Sequence, residues 1–232
     1  MIKLIKSSFY NEKQTSKELA DFIVGSTQLS FGPQCEKFES KFSEYQERLE
    51  CVFLNSGSSA NLAIIQAMLN LGYIKKGDKV GFSALTWSTN VMPIIQLGLQ
   101  AVPIDVELDT LNVSSKKLAN TLVRHDLKMV FITNLLGWTH DLEKILELCK
   151  SKSIHLIEDN CESLGTVYQG KKLGNFGLAS TFSFYVGHHM STIEGGAVCT
   201  DDQKLATMTR LVRAHGWDRN LQIKEQESIR KE

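Results

Sequence analysis

Residues 182–196 read Phe-Ser-Phe-Tyr-Val-Gly-His-His-Met-Ser-Thr-Ile-Glu-Gly-Gly, and they join two apolar runs, 179–184 and 197–200, that are predicted strands. Two adjacent histidines, His188 and His189, lie at the centre of this segment. They could be ordinary polar loop residues or half of a metal site, although a zinc site needs further ligands at suitable spacing and the sequence contains no such set. An imidazole, with an unperturbed pKa of about 6.5, can also move protons near neutral pH. Proton transfer by His188 is therefore a candidate function of this segment.

Outward from this segment, strands alternate with helices along the chain. Apolar runs predict strands at residues 52–54, 79–83, 101–105, 129–133, 155–159, 179–184 and 197–200. Helical spacing predicts one helix with Phe38, Phe42 and Tyr45, one with Leu62, Ile65, Met68 and Leu69, and others at 114–121 and 142–152. The polar residues 167–174 predict a hairpin. Such alternation is typical of an α/β protein whose mostly parallel sheet is covered by helices on both faces.

The predicted strand 155–159 ends in two carboxylates, Glu158 and Asp159. Parallel-sheet proteins bind ligands at the carboxyl ends of their strands, so Asp159 is placed where a bound molecule could find an acidic partner. An aspartate at a strand end is also commonly the cap of a turn. On these residues alone, both roles are open for Asp159.

A second polar segment, Asn-Ser-Gly-Ser-Ser-Ala at residues 55–60, lies between a predicted strand and a predicted helix. Small residues in that position let backbone N–H groups and hydroxyls converge on an anion at the helix N-terminus. Plain helix capping produces the same pattern as often as anion binding does. Gly57, Ser58 and Ser59 are therefore candidates for a phosphate site or for a cap.

The segment at residues 182–196 resembles the signature Ser-Phe-x-x-x-Lys-x-x-x-x-x-Glu-Gly-Gly of the DegT/DnrJ/EryC1/StrS family. The matching residues are Phe182, Ser183, Glu194, Gly195 and Gly196, and His188 stands where the family carries a lysine. A lysine amine binds the aldehyde of pyridoxal phosphate (PLP) covalently, whereas an imidazole forms no stable link of that kind. The resemblance implies the large domain of a fold-type-I PLP-dependent enzyme. Within it, the subgroup that carries histidine consists of sugar 3-dehydratases, which implies that His188 is the catalytic base.

The resemblance also implies roles for other residues around the cofactor. Residues 158–165 are similar to the family's Glu-Asp-x-x-x-x-x-Gly segment, in which the aspartate binds the ring nitrogen, and this implies that role for Asp159. Glu162 is a weaker match, to a polar residue near the cofactor's 3-hydroxyl. Trp87 matches the family's stacking aromatic, although a lone tryptophan is more often a core or interface residue. The implied phosphate site consists of Gly57, Ser58, Ser59 and the hydroxyl of Ser183.

The implied reaction removes the C3 hydroxyl of a nucleotide-linked 4-keto-6-deoxy hexose, as in deoxysugar and lipopolysaccharide biosynthesis. The implied cofactors are PLP and pyridoxamine phosphate (PMP), with glutamate as amino donor and a homodimer as the assembly. GDP-4-keto-6-deoxymannose is the favoured substrate, although these residues do not distinguish GDP sugars from CDP sugars. Two alternatives are a sugar aminotransferase that uses another lysine and a truncated, non-catalytic family member.

Composition sets further expectations. The chain contains 26 basic and 26 acidic residues, so its charge does not favour binding to nucleic acid or to anionic membranes. Residues 1–7 lack an apolar signal core, and no stretch approaches the roughly 20 apolar residues of a membrane span. The five cysteines are scattered without framework spacing, which is typical of reduced thiols. The resemblance implies that an iron-sulfur cluster, which some members of the histidine subgroup hold through closely spaced cysteines, is not expected here, because residues 219–232 contain no cysteine. A cytoplasmic enzyme is therefore predicted.

The resemblance divides the chain into three expected parts. Residues 1–30 would form an N-terminal arm and helix, residues 31–220 the PLP-binding large domain, and residues 221–232 the start of a linker. Full-length family members continue into a smaller C-terminal domain, which is absent from this sequence. The expectation is therefore either a fragment of a longer protein or a truncated product with impaired activity.

Overall fold

The structure is a computed structural model that describes residues 7–219, 221 and 223–230. Residues 1–6 of the predicted arm, residue 220, and residues 222, 231 and 232 of the predicted linker lie outside the described residues. The helices are α1 (Glu12–Gly25), α2 (Pro33–Gln46), α3 (Gly57–Asn70), α4 (Ser88–Gln96), α5 (Ser115–Leu122), α6 (Leu142–Ser151), α7 (Gln203–Arg213) and α8 (Ile223–Ile229). The strands are β1 (Glu50–Leu54), β2 (Lys79–Ser83), β3 (Gln100–Ile104), β4 (Leu127–Thr133), β5 (His155–Asp159), β6 (Val167–Tyr168), β7 (Lys171–Lys172), β8 (Ala179–Ser183) and β9 (Gly196–Thr200). None of the helices within the described residues is long and apolar enough to cross a membrane.

Seven strands form one sheet in the order β1-β9-β8-β5-β4-β2-β3, and β6 pairs with β7 in a separate hairpin. β9 runs antiparallel to both of its neighbours, β1 and β8, whereas the other neighbouring pairs of the sheet are parallel. The connection from β8 to β9, residues 184–195, contains no helix that could form the usual crossover between parallel neighbours, and β9 returns in the opposite direction. The predicted α/β architecture with a mostly parallel sheet is confirmed.

Apolar side chains alternate between the two faces of the sheet, as the pleat of a strand requires. On β4, Met129 faces a core built with α3, α4 and α7, whereas Val130 faces a second core built with α5 and α6. On the second face, Phe42 of α2 packs edge to face on Phe182 of β8, with 5.1 Å between ring centroids. Helices therefore cover both faces, as predicted.

Two helices of the first core, α4 and α7, are missing from the sequence prediction. α4 contains Pro93, a residue that disfavours the interior of a helix. α7 begins after Asp202, whose carboxylate accepts the backbone N–H of Leu205 at 3.0 Å. Burial of Ile94 on α4 and of Leu205 on α7 against the sheet stabilises both helices through tertiary packing.

The predicted hairpin at residues 167–174 is present, and its two lysines contact neighbouring side chains. The Lys171 ammonium lies over the ring of Phe176, 5.1 Å from the centroid. The Lys172 ammonium pairs with the Glu47 carboxylate and lies 5.1 Å from the centroid of the Tyr45 ring. These contacts hold the hairpin against α2 and the loop after β7.

Candidate active site

Asp159, the last residue of β5, lies at the carboxyl edge of the sheet with 4% of its surface exposed. Its Oδ2 accepts hydrogen bonds from Asn61 Nδ2 on α3 at 3.2 Å and from Asn90 Nδ2 on α4 at 2.7 Å. Its Oδ1 accepts the backbone N–H of Cys161 at 2.9 Å. A carboxylate offers about four acceptor positions, so these bonds leave Asp159 with room for one further donor.

Three buried polar atoms close to Asp159 lack a hydrogen-bond partner among the described residues: Oδ1 of Asn61, Oδ1 of Asn90 and Oγ1 of Thr181. Thr181 pairs in register with Asp159 across β5 and β8, so both side chains face the same side of the sheet. Buried polar groups are nearly always hydrogen-bonded, and a cluster of unpaired ones needs an explanation. A polar ligand beside Asp159 would provide it.

The N-terminus of α3 is capped by Ser56. Its Oγ accepts the backbone N–H of Ser59 at 3.0 Å and lies 3.1 Å from the Ser59 hydroxyl. The first N–H groups of a helix have no acceptor within the helix and carry partial positive charge. Because the N–H of Ser59 already donates to the Ser56 hydroxyl, the backbone N–H groups of Gly57 and Ser58 are the ones that an anion could use. The first turn contains no acidic residue that would oppose an anion.

Gly57 is packed too tightly to carry a side chain. A β-carbon at this position would lie 2.6 Å from Cβ of Ser183 and 3.0 Å from Sγ of Cys161. The close approach brings Ser183, at the end of β8, beside the first residue of α3. The hydroxyl of Ser183 and the N-terminus of α3 therefore share one small region.

The two glycines that precede and begin β9 have a similar packing role. A β-carbon on Gly196 would lie 2.2 Å from the backbone oxygen of Ser56, and one on Gly195 would lie 2.4 Å from Oγ1 of Thr192. β9 therefore begins directly against the turn that leads into α3. Glycine at both positions lets the loop that carries His188 end close to the N-terminus of α3.

His188 lies in the loop between β8 and β9. Its backbone N–H donates to the carbonyl of Tyr185 at 2.9 Å, and the two rings meet edge to face with centroids 6.2 Å apart. The N–H of Thr192 donates to the carbonyl of Phe184 at 2.9 Å, which closes the loop. His188 is half-buried whereas His189 is exposed, so the two adjacent histidines occupy different environments.

Three groups act on the charge of the His188 imidazole besides its own burial. Burial lowers the pKa of His188 below its usual value, and the neighbouring His189 acts in the same direction. The carboxylates of Glu162 and Asp159 oppose this by favouring the charged imidazole. A lowered pKa keeps His188 neutral, and thus able to accept a proton, near neutral pH.

The remaining predicted site residues differ in their surroundings. Glu162 is half-buried in the loop after β5, where its Oε2 accepts the backbone N–H of Leu136 at 3.4 Å. Trp87 is 74% exposed at the residue before α4. Its carbonyl accepts the N–H of Asn90 at 3.1 Å, so Trp87 lies one turn from a residue that holds Asp159. The structure brings Asp159, Glu162 and His188 together and leaves the Trp87 ring largely in solvent.

Cys161 lies between Asp159 and Gly57. Burial and the negative charge of Asp159 raise the pKa of its thiol well above the usual value. A thiol with a raised pKa stays protonated and is a poor nucleophile. Cys161 therefore contributes packing, and its backbone N–H, rather than covalent chemistry.

Glu158 precedes Asp159 but faces the opposite side of the sheet, where it is fully buried. Its Oε1 accepts the N–H groups of Phe176 at 2.7 Å and Gly177 at 2.8 Å. Its Oε2 accepts the N–H of Gly174 at 2.9 Å and Nδ2 of Asn134 at 3.1 Å. All four acceptor positions of Glu158 are thus filled by the protein itself.

Sequence reasoning missed Ser56, Asn61 and Asn90. Asn61 lies on α3 among buried apolar residues, and a polar residue on such a face is a signal that could have identified it. Asn90 carried a weaker sequence signal, because it lies on α4, a helix that the sequence pattern did not predict. Ser56 is the N-cap of α3, whereas the sequence pattern named only Gly57, Ser58 and Ser59 as candidates for a cap or a phosphate site.

Comparison with known proteins identifies the relatives of this chain. The model of the DegT/DnrJ/EryC1/StrS aminotransferase family matches residues 10–229. GDP-4-keto-6-deoxy-D-mannose 3-dehydratase of Yersinia pseudotuberculosis is 37% identical over 219 residues, which cover 94% of this chain and 55% of that protein. GDP-perosamine synthase of Escherichia coli O157:H7 is 34% identical over 190 residues, which cover 82% of this chain and 51% of that protein. The chain thus spans about half the length of these curated relatives.

Solved structures share the fold. A crystal structure of GDP-4-keto-6-deoxymannose-3-dehydratase with bound GDP-perosamine superposes with a TM-score of 0.88 and 32% identity, covering 96% of this chain and 57% of that chain. The Escherichia coli GDP-4-keto-6-deoxy-D-mannose-3-dehydratase with bound hydrated PLP superposes with a TM-score of 0.86, 32% identity and the same coverage. This similarity extends over nearly the whole chain.

Proposed function

The chain belongs to the DegT/DnrJ/EryC1/StrS aminotransferase family, and we propose that it binds PLP or PMP for the 3-dehydration of a nucleotide-linked 4-keto-6-deoxy hexose. The observation that carries the proposal is the half-buried imidazole of His188, with its lowered pKa, at the position of the family's lysine. Relatives named as 3-dehydratases, 37% and 35% identical to this chain, support the reaction class.

The residues at the carboxyl edge of β5 fit the proposed cofactor. Asp159 keeps an acceptor position that suits the N–H of a protonated ring nitrogen. The unpaired buried oxygens of Asn61, Asn90 and Thr181 lie on the same side of the sheet. The start of α3 offers backbone donors to a phosphate, and Gly57 leaves no room there for a side chain.

When bound, PLP or PMP would supply a carbonyl or amine that condenses with the reactants and a ring that accepts electrons from the adjacent carbon. Asp159 would keep a proton on the ring nitrogen, because an opposite charge favours the protonated form. Gly57, Ser58, Ser59 and Ser183 would bind the phosphate. Trp87 would cover the ring and exclude water, and Glu162 would bind near the ring hydroxyl.

His188 distinguishes the proposed dehydratase from an aminotransferase. Its neutral imidazole can accept a proton and return it, but it cannot take the place of a lysine amine as a covalent anchor. Lys171 and Lys172, the lysines that follow Asp159 most closely in the sequence, contact Phe176 and Glu47. Neither contact lies at the edge that carries Asp159.

We extend the proposal to the substrate and the assembly. GDP-4-keto-6-deoxymannose is the proposed sugar nucleotide, because relatives with that substrate in their names cover most of this chain, and glutamate is the proposed amino donor. Residues 31–220 are the proposed cofactor-binding unit. A homodimer is proposed because apolar side chains on and before α4, among them Leu85, Met92 and Ile95, are exposed.

The proposal is tested by asking which residue can be linked covalently to PLP. The unsubstituted chain, His188→Lys and His189→Lys are each incubated with PLP, reduced with borohydride and analysed by peptide mass. We expect a lysine adduct in His188→Lys only, because only that substitution places an amine at the family's lysine position. His189→Lys is the matched control, since it adds the same amine one residue further along the loop.

Each other result contradicts a stated part of the proposal. An adduct on a native lysine of the unsubstituted chain would identify an aminotransferase-like anchor and remove the dehydratase assignment. Equal labelling of the two substituted chains would show that the position of His188 is not special. Failure of the unsubstituted chain to bind PLP or PMP, measured by absorbance after gel filtration, would remove the cofactor assignment.

A further inference from the structure

Asn61 and Asn90 are uncharged, and they converge on a single oxygen of Asp159 from two different helices. Asn90 Nδ2 donates at 2.7 Å and Asn61 Nδ2 at 3.2 Å, both to Oδ2. The exposed fraction is 0% for Asn90 and 1% for Asn61, so neither hydrogen bond competes with solvent. Each carboxylate oxygen has two acceptor positions, and the two amides together occupy both positions of Oδ2.

The other oxygen of Asp159 is only partly used. Oδ1 accepts the backbone N–H of Cys161 at 2.9 Å, and the only other donor to Asp159 from that residue is the Cys161 thiol, so no strong donor fills the second position of Oδ1. The titratable groups whose charge couples to this region are the Cys161 thiol, whose pKa is raised, and the His188 imidazole, together with the Glu162 carboxylate that acts on both. A thiol is a weak donor and does not compete well with a charged N–H group.

We propose that Asn61 and Asn90 are positioning residues that saturate Oδ2 of Asp159 and thereby direct Oδ1 to the ring nitrogen of the cofactor. The inference rests on the proposed function, since it concerns how Asp159 meets PLP or PMP. A carboxylate that could rotate would offer either oxygen and would hold the ring in more than one orientation. The two amides fix the rotation, because α3 and α4 are both anchored in the core that contains Ile64 and Ile94.

The unpaired oxygens of both amides agree with this role. Neither Oδ1 of Asn61 nor Oδ1 of Asn90 has a hydrogen-bond partner among the described residues, so each amide is oriented by its bond to Asp159 alone. A buried asparagine that served only the fold would normally use both ends of its amide. Asn175 is such a residue, since its Nδ2 donates to the carbonyl of Gln46 at 2.7 Å and its Oδ1 lies 3.5 Å from Gln46 Nε2.

The test compares two ligands in three variants of the full chain. Asn90→Ala and Asn61→Ala each remove one donor to Asp159, and Asn175→Ala removes a buried amide on the other face of the sheet. Dissociation constants are measured by fluorescence for PLP and for its analogue with carbon in place of the ring nitrogen. We expect Asn90→Ala to weaken PLP binding roughly tenfold, which is the effect of one hydrogen bond to a charged group. Asn61→Ala should weaken PLP binding less, because the hydrogen bond from Asn61 to Asp159 is longer.

The carbon analogue separates positioning from support of the fold. It cannot bind Oδ1 through a ring N–H, so the unsubstituted chain and Asn90→Ala should bind it equally. The absorption band of bound PLP, which responds to the proton on the ring nitrogen, should change with pH in Asn90→Ala over a range where it is constant in the unsubstituted chain. Asn175→Ala should lower the melting temperature and change neither the ligand preference nor the pH response.

The outcomes distinguish this inference from the proposed function. If the unsubstituted chain binds PLP and Asn90→Ala binds it equally well, the positioning role is overturned and the proposed function stands. Equal weakening of PLP and its carbon analogue also overturns the role, since the asparagines would then only shape the site. If the unsubstituted chain binds neither ligand, the proposed function and the positioning role are both overturned.

Discussion

Glu158 and Asp159 are adjacent carboxylates at the end of β5, but they serve opposite faces of the sheet in different ways. Glu158 accepts four hydrogen bonds from the protein and holds the loop that contains Gly174 and Gly177. Asp159 accepts three, and unpaired polar atoms surround it. The two carboxylates differ in their open acceptor positions: the chain fills all four positions of Glu158, whereas one position of Asp159 remains open for the proposed ligand.

Burial and charge do not by themselves mark a functional carboxylate. Glu158 is the more deeply buried of the two, with 0% of its surface exposed against 4% for Asp159. A count of filled and open acceptor positions separates them where burial does not. At the end of β5, Asp159 is the carboxylate whose hydrogen-bonding capacity the fold has not fully used.

Glu158→Gln should produce the largest loss of stability. Each oxygen of Glu158 accepts two N–H groups, so an amide nitrogen at either position leaves two buried donors facing a third. An unsatisfied buried donor costs about 1–3 kcal/mol, so the free energy of unfolding should fall by roughly 2–6 kcal/mol. Urea unfolding followed by circular dichroism measures the change.

The matched substitution is Asp159→Asn, which can place its amide nitrogen at the Oδ1 position. Only the N–H of Cys161 donates there, so one donor is lost rather than two. The free energy of unfolding should then fall by roughly 1–3 kcal/mol. Equal losses in the two variants would contradict the view that Glu158 is a structural clamp and Asp159 is not.

Asp159→Asn should show the largest effect on function. A neutral amide cannot favour the proton on a ring nitrogen, so the cofactor would accept electrons poorly while its phosphate stays bound. The rate of ammonia release from glutamate in the presence of GDP-4-keto-6-deoxymannose should fall by roughly 10²–10³-fold, the scale of losing one preorganised charge interaction. PLP affinity should fall less than the rate does. Unchanged turnover would show that Asp159 is only a strand-end cap.

The sequence pattern predicts the strands that carry the candidate site, but it does not predict the asparagines that contact Asp159, and this has a physical cause. The strands that carry Asp159 and Ser183 are apolar runs bounded by polar residues, and they form as predicted. His188 was identified by a local signature. Asn61 and Asn90 reach Asp159 only after α3 and α4 pack on the sheet, across separations of 98 and 69 residues, and no local pattern encodes that meeting.

Ser58 and Ser59 show a second limit of sequence reasoning. Both fit a phosphate site or a cap equally well by composition, and the distinction depends on which residue precedes the helix. Ser56 takes that position, and its hydroxyl engages Ser59. A shift of one residue in the helix start would exchange the roles, and helix boundaries are the least certain feature of a sequence pattern.

Gly57→Ala should cost less stability than Glu158→Gln and should impair function less than Asp159→Asn, and it tests the side of the sheet on which Asp159 lies. The new β-carbon would lie 2.6 Å from Cβ of Ser183, so the loop or the helix must shift. Overpacking of this kind costs about 1–3 kcal/mol in unfolding free energy. PLP binding should weaken as well, because the shift moves the donors at the start of α3.

Gly25→Ala is the control for Gly57→Ala, since it changes the same residue type where no atom lies within 4 Å of the new β-carbon. Gly25 ends α1, where alanine should stabilise the chain by about 0.5–1 kcal/mol and leave PLP affinity unchanged. If both glycines tolerate alanine equally, the close contact between α3 and β8 does not shape the site.

The smallest expected effect is a shift in pH dependence, and it tests how Asp159 and its neighbours act on His188. Burial lowers the pKa of His188, and Glu162 raises it. A base works while it is unprotonated, so activity should persist below the usual histidine pKa of about 6.5 and fall as the pH drops through the lowered value. Glu162→Gln removes a charge that favours the imidazolium, so the acidic limb of the pH profile should move to still lower pH.

Glu194→Gln, an exposed change in the same loop as His188, is the control and should leave the acidic limb in place. Each profile is scaled to its own maximum, so weaker cofactor binding in Glu162→Gln does not move the limb. An acidic limb that moves upward, or that follows Glu194 instead of Glu162, would show that the titrating group is not His188.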